Sequence, residues 1–142
     1  MPLPEKRTLA DLLKIYPYDW AVTQLALDEA LPITEILKAN PNVNTVYNNF
    51  ALTVHEDFRG QGLATKLATK ALSVGKMVGC DATWVVTSSN ATRKIFNRLG
   101  VGEWKVCQWE EMELEGGLRP FKDVRSDALV GHFAEMSKCI LD

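Results

Sequence analysis

Residues 52–65 read Leu52-Thr53-Val54-His55-Glu56-Asp57-Phe58-Arg59-Gly60-Gln61-Gly62-Leu63-Ala64-Thr65. Before Val54, the run from Val46 carries Tyr47, Phe50 and Leu52 in partial alternation, which predicts a strand over 46–54. After Gly62, apolar residues at 63, 64, 67, 68, 71 and 72 form one face of a helix. A strand thus runs into a glycine-bearing turn that opens a helix. Such a start exposes unpaired N–H groups and the positive end of the helix dipole, which suits an anionic pyrophosphate. Gly60 and Gly62 let the backbone approach a phosphate without a Cβ in the way, and Ala64 adds little bulk. Two commoner phosphate motifs fail by count. No lysine follows a glycine at Walker A spacing, and Thr65 stands where a dinucleotide fingerprint needs its third glycine.

Working outward, Gly75 and Gly79 are expected to weaken and end the helix. Residues 82–87 (Ala-Thr-Trp-Val-Val-Thr) then read as a buried parallel strand. Ser88-Ser89-Asn90 offers caps for a helix over 91–99, closed by Gly100. Strand, helix, strand, helix implies a βαβ crossover and a parallel pair. Residues 103–113 predict another strand with Gly116-Gly117 as its turn, and 127–141 fits either a helix or a last irregular strand. Upstream, Thr8 caps a short helix stopped by Pro17, Asp19 caps a second helix to Leu31, and 33–39 adds a further turn or two. The cluster Asn40-Pro41-Asn42-Val43-Asn44 marks the one internal boundary.

A length of 142 residues with 46% hydrophobic content suits one domain spanning 1–142: a mainly helical segment 1–46, a core 47–109 and a closing strand or helix 110–142. A net charge of -2 supplies no broad positive field, so no nucleic-acid partner is expected. Nor is a membrane, because no apolar run is long enough to span one. Cys80, Cys107 and Cys139 are odd in number and in no metal-ligand spacing, which points to free thiols in the cytoplasm and to no metal. Cys80 and Cys107 read as buried small hydrophobes, and Trp84, Trp104 and Trp109 as packed in or beside the core. Glu111, Glu113 and Glu115 read as a solvated strand face.

Arg59-x-x-Gly62-x-Ala64 resembles the Arg/Gln-x-x-Gly-x-Gly/Ala signature of GNAT-type N-acetyltransferases. Asn90, followed by Phe96 and then Leu99-Gly100-Val101, is similar to the second signature of that family. Val54-His55-x-x-Phe58-Arg59-Gly60-x-Gly62, with His132, Met136 and Lys138 in the tail, is similar to arylalkylamine-type acetyltransferases of invertebrates.

The resemblance implies an α/β (α+β) fold with a mixed central sheet flanked by helices, here shortened at the N-terminus. It implies acetyl-CoA as cosubstrate and a small primary amine as acceptor. Leu52, Thr53 and Val54 would pair with the pantetheine arm. Arg59, Gly60, Gln61, Gly62, Leu63, Ala64 and Thr65 would hold the pyrophosphate, and Ser89, Asn90 and Lys94 would face the cofactor. The amine would attack the thioester directly, with the Val54 N–H steadying the oxyanion. A protonated amine must first lose a proton. His55 is the first candidate base, with Tyr47, Glu29 and Glu35 behind it. Phe96 replaces the proton-donating tyrosine of many members, and His132 reads as structural or exposed. With so few strands upstream, the 47–54 strand becomes a sheet edge, to be covered by an N-terminal helix or by a second copy in a homodimer. A degenerate relative that binds acyl-CoA without turnover, and a purely structural module, are the alternatives.

Overall fold

The computed structural model describes residues 5–141, whose elements are α1 (Leu9–Leu13), α2 (Tyr18–Ala30), α3 (Ile33–Ala39), β1 (Val46–Asn49), α4 (Leu63–Met77), β2 (Ala82–Thr87), α5 (Asn90–Arg98), β3 (Gly102–Cys107) and β4 (Leu129–Glu135). They fall into two compact units: residues 42–106 with 127–141, and residues 5–41 with 107–126.

The first unit holds a mixed four-stranded sheet in the order β1-β2-β4-β3. β1 runs parallel to β2, with Val46 opposite Ala82 and Asn49 opposite Val85. β2 runs antiparallel to β4, from Ala82 opposite Glu135 to Thr87 opposite Val130. The tail is therefore a regular strand rather than a helix. The ladder between β1 and β2 ends at Asn49, five residues short of the expected strand end at Val54. β2 continues to Thr87 with β4 alone, so a gap opens beside its last residues. The half-buried Leu52 leaves the sheet to pack against the core, which accounts for the early exit. Upstream, the buried hydroxyl of Thr83 donates to the Tyr47 carbonyl at 3.0 Å and accepts from Asn49 Nδ2 at 2.8 Å, pinning the end of β1.

Alternation puts Val85, His132 and Ala134 on one face of the sheet and Trp84 and Phe133 on the other. α4 and α5 cover the first face, where Ala68, Leu72, Phe96 and Leu99 pack with Val85, Val101 and Ala134. On the second face Trp84 meets Trp104 edge-on at 5.8 Å. Asp81 clamps the entry to β1: its carboxylate accepts the N–H groups of Asn44 and Thr45 at 2.8 and 2.9 Å. Those bonds hold its pKa below the usual aspartate value. Arg93 of α5 makes a two-pronged pair with Glu103 of β3, both contacts at 2.7 Å, and Asn97 adds a third bond at 2.7 Å. Arg93 first and Asn97 second push the Glu103 carboxyl down to about 2.

In the second unit, Thr8 and Asp11 form a reciprocal capping box on α1. α2 is capped two residues earlier than expected, with Pro17 at the cap position and Asp19 inside the first turn. Arg7 grips Asp28 through both carboxylate oxygens, at 2.6 and 2.9 Å. The strand expected to reach Glu113 stops at Cys107. Residues 109–111 form a 3₁₀ turn, and Leu114 bridges Leu118 around Gly116-Gly117. Met112 and Leu114 are buried while Glu111, Glu113 and Glu115 are exposed, so burial alternates although the strand has ended. None of the three cysteines is in a disulfide among the described residues, and all are partly exposed, short of the full burial expected of Cys80 and Cys107.

Gly75 does not end α4, which runs on to Met77. A Cβ there would lie 2.7 Å from Tyr47 Cγ and 3.0 Å from Met136 Cε, so glycine is needed for the helix to pack on β1. Gly-to-Ala inside an exposed helix ordinarily stabilises by about 1 kcal/mol. Here the overlap wins, and Gly75→Ala is expected to lower stability by about 1–3 kcal/mol in urea unfolding. A neutral or stabilising result would contradict the contact.

Candidate functional site

The segment 50–65 is organised by hydrogen bonds of its own. The Phe58 N–H donates to the His55 carbonyl at 3.0 Å, and Arg59 Nε donates to the Val54 carbonyl at 3.0 Å, folding the guanidinium back across the turn. Gly60 and Gly62 have φ of +76° and +74°, the left-handed region that L side chains rarely adopt. A Cβ on either would meet nothing within 4 Å, so the glycines border open space. Gly62 caps α4 with no side-chain hydrogen bond, and the first intrahelical bond runs from Lys66 N to Gly62 O at 3.1 Å. The N–H groups of Leu63, Ala64 and Thr65 are left without helical partners. Leu52, Thr53 and Val54 lie outside the β1–β2 ladder, so this backbone is also without strand partners. This loop fits a phosphate: a positive helix end, bare amides and a cradle that a Cβ would fill.

Beside the loop lies an open groove of about 390 Å³, with Thr53, Val54, His55 and Phe58 on one side and Leu63, Lys66, Leu67 and Lys70 of α4 on the other. Its floor is apolar, and none of these eight residues is acidic. The His55 side chain is 66% exposed. Its Nδ1 accepts from the Asp57 N–H at 3.3 Å, so in the neutral ring the proton sits on Nε2. Tyr47 is half-buried, its ring against Gly75. Glu29 and Glu35 belong to α2 and α3, in the other unit.

The start of α5 differs from that of α4. Ser89 Oγ accepts the Thr92 N–H at 3.2 Å as an ordinary cap. Asp127 accepts the Asn90 backbone N–H at 2.9 Å and its side-chain amide at 3.1 Å. The asparagine of the second signature is thus held by a carboxylate of this chain, and Lys94 is exposed one turn on.

Residues 33–101 match the acetyltransferase (GNAT) family model. The structure is similar to that of mosquito arylalkylamine N-acetyltransferase like 5b, with a TM-score of 0.78 at 16% identity over 89% of this chain and 60% of that one. The chain has the GNAT fold. Arylalkylamine N-acetyltransferase 2 from Aedes aegypti gives a TM-score of 0.74 at 20% identity, over 89% of this chain and 59% of that one. The polyamine N-acetyltransferase of Drosophila melanogaster gives 0.69 at 16% identity, over 89% and 61%. The chain spans about 60% of the length of the structures it matches. No curated protein matches its sequence. The two-motif resemblance to GNAT proteins is borne out in fold, and arylalkylamine N-acetyltransferases are among the similar structures.

Two residues of this GNAT fold carry more than their sequence context suggested. Phe96, in the tyrosine's place, is 2% exposed and packs 6.1 Å from the His132 ring. His132 is fully buried, with Nδ1 3.0 Å from the Val101 carbonyl and Nε2 2.9 Å from Thr87 Oγ1. A carbonyl only accepts, so Nδ1 carries the proton and Nε2 accepts from the Thr87 hydroxyl. The ring ties β4 to the end of β2 and to the turn after α5. A buried histidine amid apolar neighbours was visible in sequence only as one polar letter between Val130-Gly131 and Phe133-Ala134. Among the described residues, no group of three or more His, Cys, Asp or Glu side chains is placed to hold a metal, and no helix is long and apolar enough to cross a membrane.

Burial lowers the His132 pKa below the ordinary histidine value, so the unfolded chain binds the proton more readily. The stability His132 confers is complete above about pH 6.5 and is lost as pH falls through its lower folded-state value. Urea midpoints are therefore expected to drop between pH 7.5 and 5.5, with a smaller drop in His132→Gln. An equal drop in both proteins would remove His132 as the source.

Proposed function

We propose that this chain is an acetyl-CoA-dependent N-acetyltransferase of the cytoplasm acting on a small primary amine. The observation that carries the reading is the open start of α4, where Gly60 and Gly62 at positive φ border bare amides next to the gap between β1 and β2. The amides of residues 60–65 would hold the pyrophosphate, with the Arg59 guanidinium alongside. The backbone of Leu52, Thr53 and Val54, which has no strand partner, would hold the pantetheine arm, and the Val54 N–H would face the thioester oxygen. Bound acetyl-CoA supplies an activated acetyl thioester that an amine can take up without a covalent enzyme intermediate. The insect relatives whose structures this chain resembles are arylalkylamine and polyamine acetyltransferases, which supports an amine acceptor.

Proton handling falls to solvent-exposed groups. The buried Phe96 has no proton to give, so the departing thiolate would be protonated from water. Neutral His55 presents Nε2–H outward, with its accepting nitrogen on the Asp57 N–H. To serve as base it must release that contact. Positioned general bases are worth about 10²–10⁴ in rate. We expect His55→Gln to lower turnover less than tenfold, with water taking the amine proton; a loss of a hundredfold or more would make His55 the base.

Isothermal titration with acetyl-CoA tests the site directly. The wild-type chain is expected to bind, and Gly62→Ala to bind at least tenfold more weakly, because its Cβ enters the cradle and positive φ costs about 1–2 kcal/mol. Thiol release with arylalkylamines and polyamines would then identify the acceptor. Absence of binding would overturn the assignment, and binding without turnover across the panel would leave a cofactor-binding GNAT fold in place of an enzyme.

A further inference from the structure

α4 carries apolar residues on more of its circumference than the core covers. At about 100° per residue, the buried Ala68, Leu72 and Gly75 mark its inward side. Leu67, Ala71, Val74 and the cap residue Val78 then fall on one flank, and Thr65, Thr69, Ser73 and Lys76 on the other. Lys76 acts electrostatically on the Cys139 thiol, just past β4, so the polar flank turns towards β4. The apolar flank turns the other way, over β1, with Leu67, Val74 and Val78 exposed by 50%, 42% and 65%. β1 is an outer strand, and no strand among the described residues pairs with its other side. Such an edge is usually protected by charge, proline or a bulge. Val46-Tyr47-Asn48-Asn49 holds no charged residue and no proline, whereas β3 at the opposite edge carries Glu103 and Lys105. An open strand edge and an apolar helix flank thus lie side by side.

Neither part is charged, and Lys66 and Lys70 fall on the side of α4 away from the sheet. The face can therefore meet its own likeness without opposing like charges, where a charged patch would need a partner of opposite sign. Its dimensions also match themselves. α4 abuts Tyr47 of β1 and packs with Val85 of β2, so it lies over this strand pair. A second β1 added at a strand spacing of about 4.8 Å sets the two copies of α4 about two spacings apart, which is close to the usual helix-packing distance of about 8–10 Å. We propose that this face binds a second copy of the chain about a two-fold axis, with β1 pairing antiparallel to β1 of the copy and the α4 flanks packing on each other. Because Gly75 abuts Tyr47, an axis between Tyr47 and Asn48 passes beside Val74. Val74 meets Val74 of the copy, and Ala71 meets Val78 of the copy, the self-matching that two-fold symmetry requires. The axis lies about 18 Å along α4 from Gly62, so the helix start stays open and the pairing does not rest on the Proposed function.

Sedimentation of the full chain over a series of concentrations tests the pairing. The wild-type protein is expected at twice the 15.9 kDa chain mass, falling towards the single-chain mass on dilution. Val74→Lys sets two ammonium groups against each other on the axis and is expected to weaken the dimer about a hundredfold or more. Val74 is exposed in the single chain, so the variant is expected to keep the wild-type circular dichroism. Val74→Cys, mildly oxidised, is expected to run as a covalent dimer on a non-reducing gel under conditions that leave the wild type, with its own three cysteines, uncoupled. A single-chain mass at every concentration would overturn the proposal. So would a dimer that Val74→Lys leaves intact, since another surface would then hold it. Should Val74→Lys fail to fold, the Val74→Cys link decides: its formation supports the two-fold contact, and its absence from a dimeric protein refutes it.

Discussion

A single buried hydroxyl fixes where the chain leaves the sheet. Thr83 donates to the Tyr47 carbonyl and accepts from the Asn49 amide, so β1 is held to β2 up to Asn49. Asp81 holds the other end of the same short strand through the amides of Asn44 and Thr45. Four residues of ladder, bracketed by two polar clamps, set the point from which the loop to Gly62 departs. Gly75 then lets α4 come down onto Tyr47. The direction of the helix start, and with it the direction of its bare amides, follows from these contacts.

The two helix starts on the helix-covered face use opposite solutions to one problem. Every helix leaves N–H groups unsatisfied at its beginning. At α5 the chain supplies its own acceptors, Ser89 and Asp127. At α4 it supplies none and places a left-handed glycine there instead. Self-satisfaction makes a stable helix; leaving the donors open makes a place for an anion. The same sheet supports both because Arg93, Asn97 and Glu103 fasten α5 to β3 independently of its N-terminus.

What was legible in the sequence was local. Gly60 and Gly62, the Ser89 cap, the Thr8 cap and the Gly100 stop are each settled by a few neighbouring residues, and each appears where the spacing puts it. What was not legible depends on partners far along the chain. Gly75 looks like a helix breaker until Tyr47 is set against it. Asn90 looks free until Asp127 arrives from 37 residues away. The 46–54 run has strand composition throughout, yet Leu52 gains more by joining the core than by extending a ladder. The acidic residues at 111, 113 and 115 alternate for the same reason a strand would, burial of Met112 and Leu114, without any strand partner. His132 is a buried polar residue whose donor and acceptor partners, Thr87 and Val101, lie 45 and 31 positions away.

The second unit is made of two stretches of chain, residues 5–41 and 107–126, with most of the sheet encoded between them. Ribosomal synthesis delivers such a unit in instalments. Its first stretch emerges early, before the segment containing Trp109, Met112 and Leu114 exists to pack with it. Domains tend to fold as complete units during synthesis. The packing of residues 5–41 with residues 107–126 is therefore expected to be completed only after the strands encoded between them have been made.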